Sequence, residues 1–274
     1  MHRRRILQTG LASSLLGTLG TLPGTEPFTM NTLSGAEAPH YYELRNYETR
    51  NDLQPARLLE FAQKHLLPAL ARQGITNVGA FRGQTGWTTP GMLLLIEYKS
   101  LAEMQSAHEK LAADKDYAQA LFELEGGSQV PYVRYETSVL RAFAGHTQIA
   151  VPKPLTDNEG KPALRLFELR TYESRTSVSL KNKIEMFNQE EIKIFSDSGF
   201  TNVFFGETIA GTRMPSLTYL VGFDNMEQRD KAWAKFVASP DFNRIKVKPG
   251  WTDPEAVSNI HGAFLRPLPF SAIR

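Results

Sequence analysis

The chain has 274 residues, 31 of them basic and 29 acidic for a net charge of +2, and 41% hydrophobic and 22% charged residues. That composition suits packed domains rather than disordered chain, and so small a net charge offers no general draw toward nucleic acid. Cysteine is absent, which excludes disulfides, thiolate metal sites, a cysteine nucleophile and a lipid-attachment cysteine.

Residues 1–38 differ in kind from the rest and read as a leader. Arg3-Arg4-Arg5 precedes Ile6 and Leu7 and a mildly apolar stretch reaching Leu22. A positive flank before a short apolar run is a signal-peptide pattern, too short and too weakly apolar to span a membrane. The order Arg3-Arg4-Arg5-Ile6-Leu7-Gln8 resembles the twin-arginine export signal, with Ile6 where phenylalanine is commoner and Gln8 where lysine is commoner. Ala36-Glu37-Ala38 offers a small-x-small cleavage site, with an unfavourable Pro39 just behind it. The expected location is therefore periplasmic or secreted, and a disordered arm with accidental arginines is the bland alternative. A substrate exported in the folded state agrees with a body that needs no disulfides.

The first domain is expected over residues 41–141. Residues 42–48 alternate and carry aromatics, which predicts a strand. Asn51 or Asp52 can cap the following helix, Pro55 suits its first turn and Gly74 its end. Leu59, Ala62, Leu66, Ala69 and Leu70 form its apolar stripe, and Pro68 inside it should kink it. Strands near 76–83 and 92–98 follow, with Gly86 and Pro90 between them. Ser100-Leu101-Ala102-Glu103 is a capping box that opens a second helix. A last strand is predicted from about Tyr132 to Leu140. Residues 142–165, with Pro152, Pro154 and Pro162, read as a linker.

The second domain, 166–266, repeats the first: residues 42–141 recur at 167–266 with a constant offset of 125 and no gap. About twenty of the hundred aligned positions are identical, and self-similarity at a fixed period marks a duplicated structural unit. Gly74-Ile75-Thr76-Asn77-Val78 returns as Gly199-Phe200-Thr201-Asn202-Val203, and Asn225-Met226-Glu227-Gln228 matches the capping box. Lys193 replaces Pro68, so this copy's first helix should be straighter. Residues 267–274 read as a tail. Each copy is thus β-α-β-β-α-β, a ferredoxin-like unit whose uncovered sheet face needs a partner. The fold class is α+β, two tandem repeats closing a barrel. The chain is then a pseudo-dimer, and a homodimer in which each copy pairs with a second chain stays open.

Tyr42-Glu43-Leu44-Arg45-x-Tyr47 opening such a unit, followed by an apolar helix with Pro68 that ends at Gly74, resembles the NIPSNAP family. The second opening, Phe167-Glu168-Leu169-Arg170-x-Tyr172, resembles it equally, and the likeness covers roughly residues 41–266. The resemblance implies a dimeric α/β barrel. Relatives in that superfamily include cofactor-free monooxygenases, muconolactone-type isomerases and haem-binding barrels. It brings no catalytic residues to carry over. Eukaryotic members are associated with mitochondria and protein interactions, whereas this arginine-led chain looks bacterial and exported.

On the first strand Glu43, Arg45 and Tyr47 share one face, and Glu168, Arg170 and Tyr172 occupy the matching face of the repeat. Such a row on a central strand must pair internally or reach a wet cavity. One reading is a ligand anchor, with arginine binding and tyrosine or glutamate handling a proton. The other is a Glu–Arg cluster joining the two sheets across the pseudo-twofold axis. His65 and His108 stand where the second copy has Glu190 and Trp233; each reads as a satisfied, partly buried histidine or, given a pocket between sheet and helices, as a base or haem ligand lining it. Candidate catalytic residues are His65, His108 and Tyr47. Candidate ligand contacts are Glu43, Arg45, Tyr47, His65 and His108 in one copy and Glu168, Arg170, Tyr172 and Trp233 in the other. Nothing is expected of His40, His146 and His261. No two histidines lie at helix-ligand spacing, so no metal and no cofactor are expected. The leading functional expectation is a small-molecule-binding or interaction module. A cofactor-independent enzyme on a small carbonyl or aromatic compound is the alternative, and a haem-binding barrel stands third.

Overall fold

The period-2 pattern of the opening strand decides which residues meet which core. Tyr42, Leu44 and Asn46 project to one side and Glu43, Arg45 and Tyr47 to the other, and the two sides enter different environments. The computed structural model describes residues 38–50, 53–157 and 159–274. Almost all of the expected leader, the Asn51 and Asp52 cap positions and Asn158 lie outside these. Among the described residues no helix is long and apolar enough to cross a membrane.

The first repeat runs β1 (Tyr41–Glu48), α1 (Leu53–Phe61), a π-helical turn (Ala62–Leu66), α2 (Leu67–Ala71), β2 (Val78–Gly83), β3 (Gly91–Tyr98), α3 (Leu101–Ala113), α4 (Lys115–Glu125) and β4 (Arg134–Ala142). A two-stranded hairpin of β5 (Leu155–Thr156) and β6 (Pro162–Ala163) lies in the connector. The second repeat runs β7 (Leu166–Glu173), α5 (Ser177–Met186), a π-helical turn (Phe187–Glu191), α6 (Ile192–Ser198), β8 (Thr201–Ala210), β9 (Ser216–Phe223), α7 (Met226–Ala238), α8 (Pro240–Ile245), α9 (Asp253–Ala256) and β10 (Asn259–Pro267).

Eight strands close one barrel within this single chain, in the order β1-β3-β2-β10-β7-β9-β8-β4. Each repeat contributes a four-stranded antiparallel sheet, and the edges join where β2 pairs β10 and β4 pairs β8. Closure leaves no open edge in the barrel, so no second chain is needed to complete it.

Three cores result. Inside the barrel Tyr42, Leu44, Phe81, Leu140, Phe167, Leu169 and Phe204 pack together. Outside it, each sheet's outer face is covered by its own helices, around Leu58, Leu66, Leu94 and Ile96 in the first repeat and Phe187, Phe195, Phe205 and Tyr219 in the second.

Helix ends follow the local chemistry, with some corrections. Ser100 Oγ accepts from the Glu103 N–H at 3.1 Å and Asn225 Oδ1 from the Gln228 N–H at 2.9 Å. The reciprocal bond lands one residue early: Glu103 takes the Lys99 N–H, and Gln228 the Asp224 N–H at 3.3 Å. The single second helix expected in each copy is two. Asp114 and Ser239 leave helical geometry and recap the chain on Tyr117 N–H and Phe242 N–H. Gly74 (φ +82°) and Gly199 (φ +95°) end the first helices in a left-handed turn that favours glycine.

Pro68 is not what interrupts the first helix. Both first helices carry a π turn at the same register, Ala62–Leu66 and Phe187–Glu191, although the second has Lys193 in place of proline. The turn therefore belongs to the repeated framework. Pro68 sits at the start of α2, just past the turn, where the ladder is already broken.

The first part of the expected linker and the expected tail make similar contacts with the other repeat. After β4, Phe143 N–H bonds Phe205 O at 3.1 Å and Ala150 N–H bonds Val203 O at 2.9 Å. After β10, Leu268 N–H bonds Ala80 O at 2.9 Å and Ala272 N–H bonds Val78 O at 3.0 Å. Each extension thus runs along the other repeat's second strand and ends in a buried isoleucine, Ile149 or Ile273, in the barrel core.

Candidate functional site

The polar rows lie on the outer, helix-covered face of each sheet. In the first repeat Glu43 is fully buried. One of its oxygens accepts from Arg45 Nε at 2.8 Å and from the Arg45 Nη2, and the other from Tyr98 OH at 3.0 Å. His108 Nε2, on α3, lies 2.8 Å from that second oxygen. Arg45 also donates to Tyr47 OH at 3.2 Å. Burial alone would raise the Glu43 pKa, but the His108 hydrogen bond and the Arg45 charge outweigh it and bring it down to about 2. Burial pushes Tyr47 and Tyr98 upward, so both stay protonated.

The second repeat builds the same frame with other donors. Arg170 Nη1 reaches Glu168 Oε1 at 2.9 Å. Arg229, on α7, grips both carboxylate oxygens at 2.8 and 3.1 Å, and Trp233 Nε1 donates at 3.0 Å. Burial of Glu168 is again outweighed by these donors, led by Arg229, and its pKa falls. Tyr172 OH and Tyr219 OH pair at 2.9 Å. Below them Lys183 and Glu191, 2% and 3% exposed, form a buried ion pair with Nζ 3.3 Å from Oε2, and Asp253 approaches Lys183 at 3.5 Å. Burial pushes the Glu191 carboxyl up. Burial also opposes the Lys183 charge, but Glu191 and Asp253 outweigh it and hold the ammonium protonated.

The structure thus gathers eight of the nine expected ligand contacts into two clusters. Glu43, Arg45, Tyr47 and His108 form one, and Glu168, Arg170, Tyr172 and Trp233 the other. His108 and Trp233 do the same work, each tying a helix to the buried carboxylate. His65 stands apart. It stacks on Phe61 at 6.1 Å and lines a cleft of about 420 Å³ with Lys64, Arg72, Asp116 and Tyr117. The suggested link across the pseudo-twofold axis is incorrect: the rows point out of the barrel on opposite sides, and the Tyr42 and Phe167 faces meet inside. Sequence reasoning missed Tyr98, Lys183, Tyr219 and Arg229. One signal existed, since Glu191 occupies an apolar-stripe position held by Leu66 in the first copy. His40 and His261, of which nothing was expected, pair with Glu97 and Glu173.

Chemically, both buried carboxylates are saturated with protein donors, which leaves no free oxygen to abstract a proton. Among the described residues no group of three or more His, Asp or Glu is placed to hold a metal ion. A larger cleft, of about 620 Å³, opens beside α1 between Pro55, Leu59, Gln63 and Lys64 on one side and Arg82 and Pro90 at the turn joining β2 to β3 on the other.

The sequence profile of the NIPSNAP family matches residues 42–144 and 167–272. No curated protein matches. Among solved structures, a Lactobacillus acidophilus NCFM protein assigned provisionally as a monooxygenase superposes with a TM-score of 0.53 at 10% identity, covering 83% of this chain and 94% of its own. An anthrone oxidase-like protein gives 0.50 at 11% identity, covering 85% and 93%. A NIPSNAP-like domain protein from Burkholderia xenovorans gives 0.35 at 20% identity, covering 39% of this chain and 88% of its own. Likeness at such identities is likeness of fold.

Proposed function

The chain belongs to the NIPSNAP family, and on that premise we propose that it is a non-catalytic binding module whose small-molecule ligand seats on the helix layer of the first repeat. The observation that carries this reading is the saturation of both polar rows. Glu43 and Glu168 each hold three protein side chains, two of them on neighbouring strands or helices, so the rows act as rivets between sheet and helix. Binding then falls to the cleft beside α1. Its volume of about 620 Å³ lies in the range of small-molecule sites, roughly 300–1,000 Å³. Leu59 and Pro55 give it apolar walls, and Arg82 favours a ligand with an anionic end, while Lys64 is already paired with Glu60 of the same lining at 2.6 Å.

Anilinonaphthalene sulfonate, an apolar aromatic anion, is a suitable probe. It should bind the purified full chain saturably. Leu59→Asp should abolish that binding, while His108→Ala should leave it intact. Oxygen uptake with anthrone-type or quinol-type compounds is expected to equal the blank. Uptake that disappears in His108→Ala would establish an enzyme and end this reading.

We further propose export through a twin-arginine signal, on the strength of Arg3-Arg4-Arg5-Ile6-Leu7 ahead of the domains. N-terminal sequencing of periplasmic protein should begin between Ala36 and His40. An intact Met1 there would overturn the assignment.

A further inference from the structure

The barrel interior is apolar along most of its length, yet it turns polar at the end formed by the β2–β3 and β8–β9 turns. Asn46 on β1 and Thr171 on β7 face inward near this end, and Ser138, Thr208, Ser216 and Thr218 surround them. The hydroxyls are already arranged in pairs, Thr171 with Thr218 and Ser216 with Thr208, each at 2.9 Å. A partly open space of about 30 Å³ remains between them, the size of one water or one ligand oxygen. Two buried polar atoms of its lining, Asn46 Oδ1 and Trp87 Nε1, have no protein hydrogen-bond partner. Buried polar atoms left so are uncommon and call for a guest that completes them.

The mouth of this space is built with care. Gly211 (φ +145°) presses against β4, where a Cβ would sit 2.5 Å from Ser138 Oγ, and so sets Thr212 and Arg213 across the opening. Arg213 adopts φ +60°, a left-handed conformation unfavourable to a side chain, and its guanidinium lies 5.2 Å over the Trp87 ring. Nor does the framework need these polar groups. At the offset of 125 the first repeat has Gly83, Gly91 and Leu93 where the second has Thr208, Ser216 and Thr218, and Thr88 where the second has Arg213. The same backbone closes with either set.

We infer that the barrel mouth is a binding site for a small monocarboxylate, distinct from the cleft beside α1 and independent of that reading. One carboxylate oxygen enters the space and accepts from the Trp87 indole N–H and a threonine hydroxyl, and the Asn46 amide turns over so that its Nδ2–H, not its oxygen, faces that carboxylate. The other faces the Arg213 guanidinium, a donor geometry suited to carboxylates. Glu136 on the rim and Glu173, 3.8 Å from Arg213, offset the guanidinium charge and select against dianions.

Trp87 is one of three tryptophans, so its indole N–H can be followed by NMR in the ¹⁵N-labelled full chain and assigned with Trp87→Phe. Formate and acetate should move that signal saturably, while chloride and sulfate at matched ionic strength should not. Arg213→Met, a surface change, should weaken binding about tenfold or more. Thr218→Leu, which installs the first repeat's residue, should abolish it. A Trp87 signal that does not saturate would overturn the site. So would equal affinity in Arg213→Met, or parallel movement of the Trp233 and Trp251 signals.

Discussion

Under the helices of the second repeat lie Lys183, Glu191 and Tyr219, where the first repeat packs Leu58, Leu66 and Leu94. The backbone around them is the same down to the π turn, but one interior is apolar and the other carries an ion pair. Duplication therefore preserved the framework and left its filling free to diverge. The second interior tolerates its charges because each has company. Asp253 and the faces of Tyr172 and Phe187, 5.9 and 5.5 Å from Nζ, surround the lysine. Removing two ions from water is expensive, and only close partners offset it. The carboxylate rivets show the same freedom. Glu43 uses Tyr98 and His108 where Glu168 uses Arg229 and Trp233.

The sharpest way to break this comparison is to remove half of the buried pair. Glu191→Ala or Lys183→Ala should cost about 3–5 kcal/mol in urea unfolding, because a lone buried charge remains. Lys183→Leu with Glu191→Leu, copying the first repeat, should be neutral or stabilising by about 1–4 kcal/mol. A double variant as unstable as the singles would mean that the second interior needs its charges.

Next in size is the Glu43 rivet. Its depressed pKa makes the folded state more stable above the ordinary glutamate range, and that stability is lost as pH falls through about 2. The shift corresponds to about 3 kcal/mol for this fully buried group. Glu43→Gln should therefore lower stability by that order at pH 7. Its gap from the parent should close progressively between the ordinary glutamate range and about pH 2, and a gap independent of pH would contradict the assignment.

The smallest effect is expected of Pro68→Ala, under about 1 kcal/mol, with the Ala62–Leu66 π turn unchanged in a crystal structure. A gain near 3 kcal/mol would make proline the cause of the interruption.

Much of this was legible in the sequence. The constant offset, the alternation of Tyr42 to Glu48 and the caps at Ser100 and Asn225 specified two ferredoxin-like units, because local backbone preferences and the side-chain period are properties of the chain itself. They also placed Glu43, Arg45 and Tyr47 on one face, and that face is the one the helices cover. The extensions carrying Ile149 and Ile273 stayed hidden because the return contact comes seven residues on in one (Phe143 to Ala150) and four in the other (Leu268 to Ala272), which breaks the constant offset. The Lys183–Glu191 pair stayed hidden because a partner eight positions away lies beyond the i,i+3 and i,i+4 spacings that mark side-chain pairs on a helix.

The sequence by itself thus determined the repeat, the order of its elements and which residues share each strand face. Only the tertiary structure decided which face met the barrel interior and which met the helices, that the barrel closes within one chain, and which donors saturate each buried carboxylate. Those choices depend on contacts between residues far apart in the chain, whose worth is set by burial and by the fit of one repeat against the other, and no local pattern encodes them.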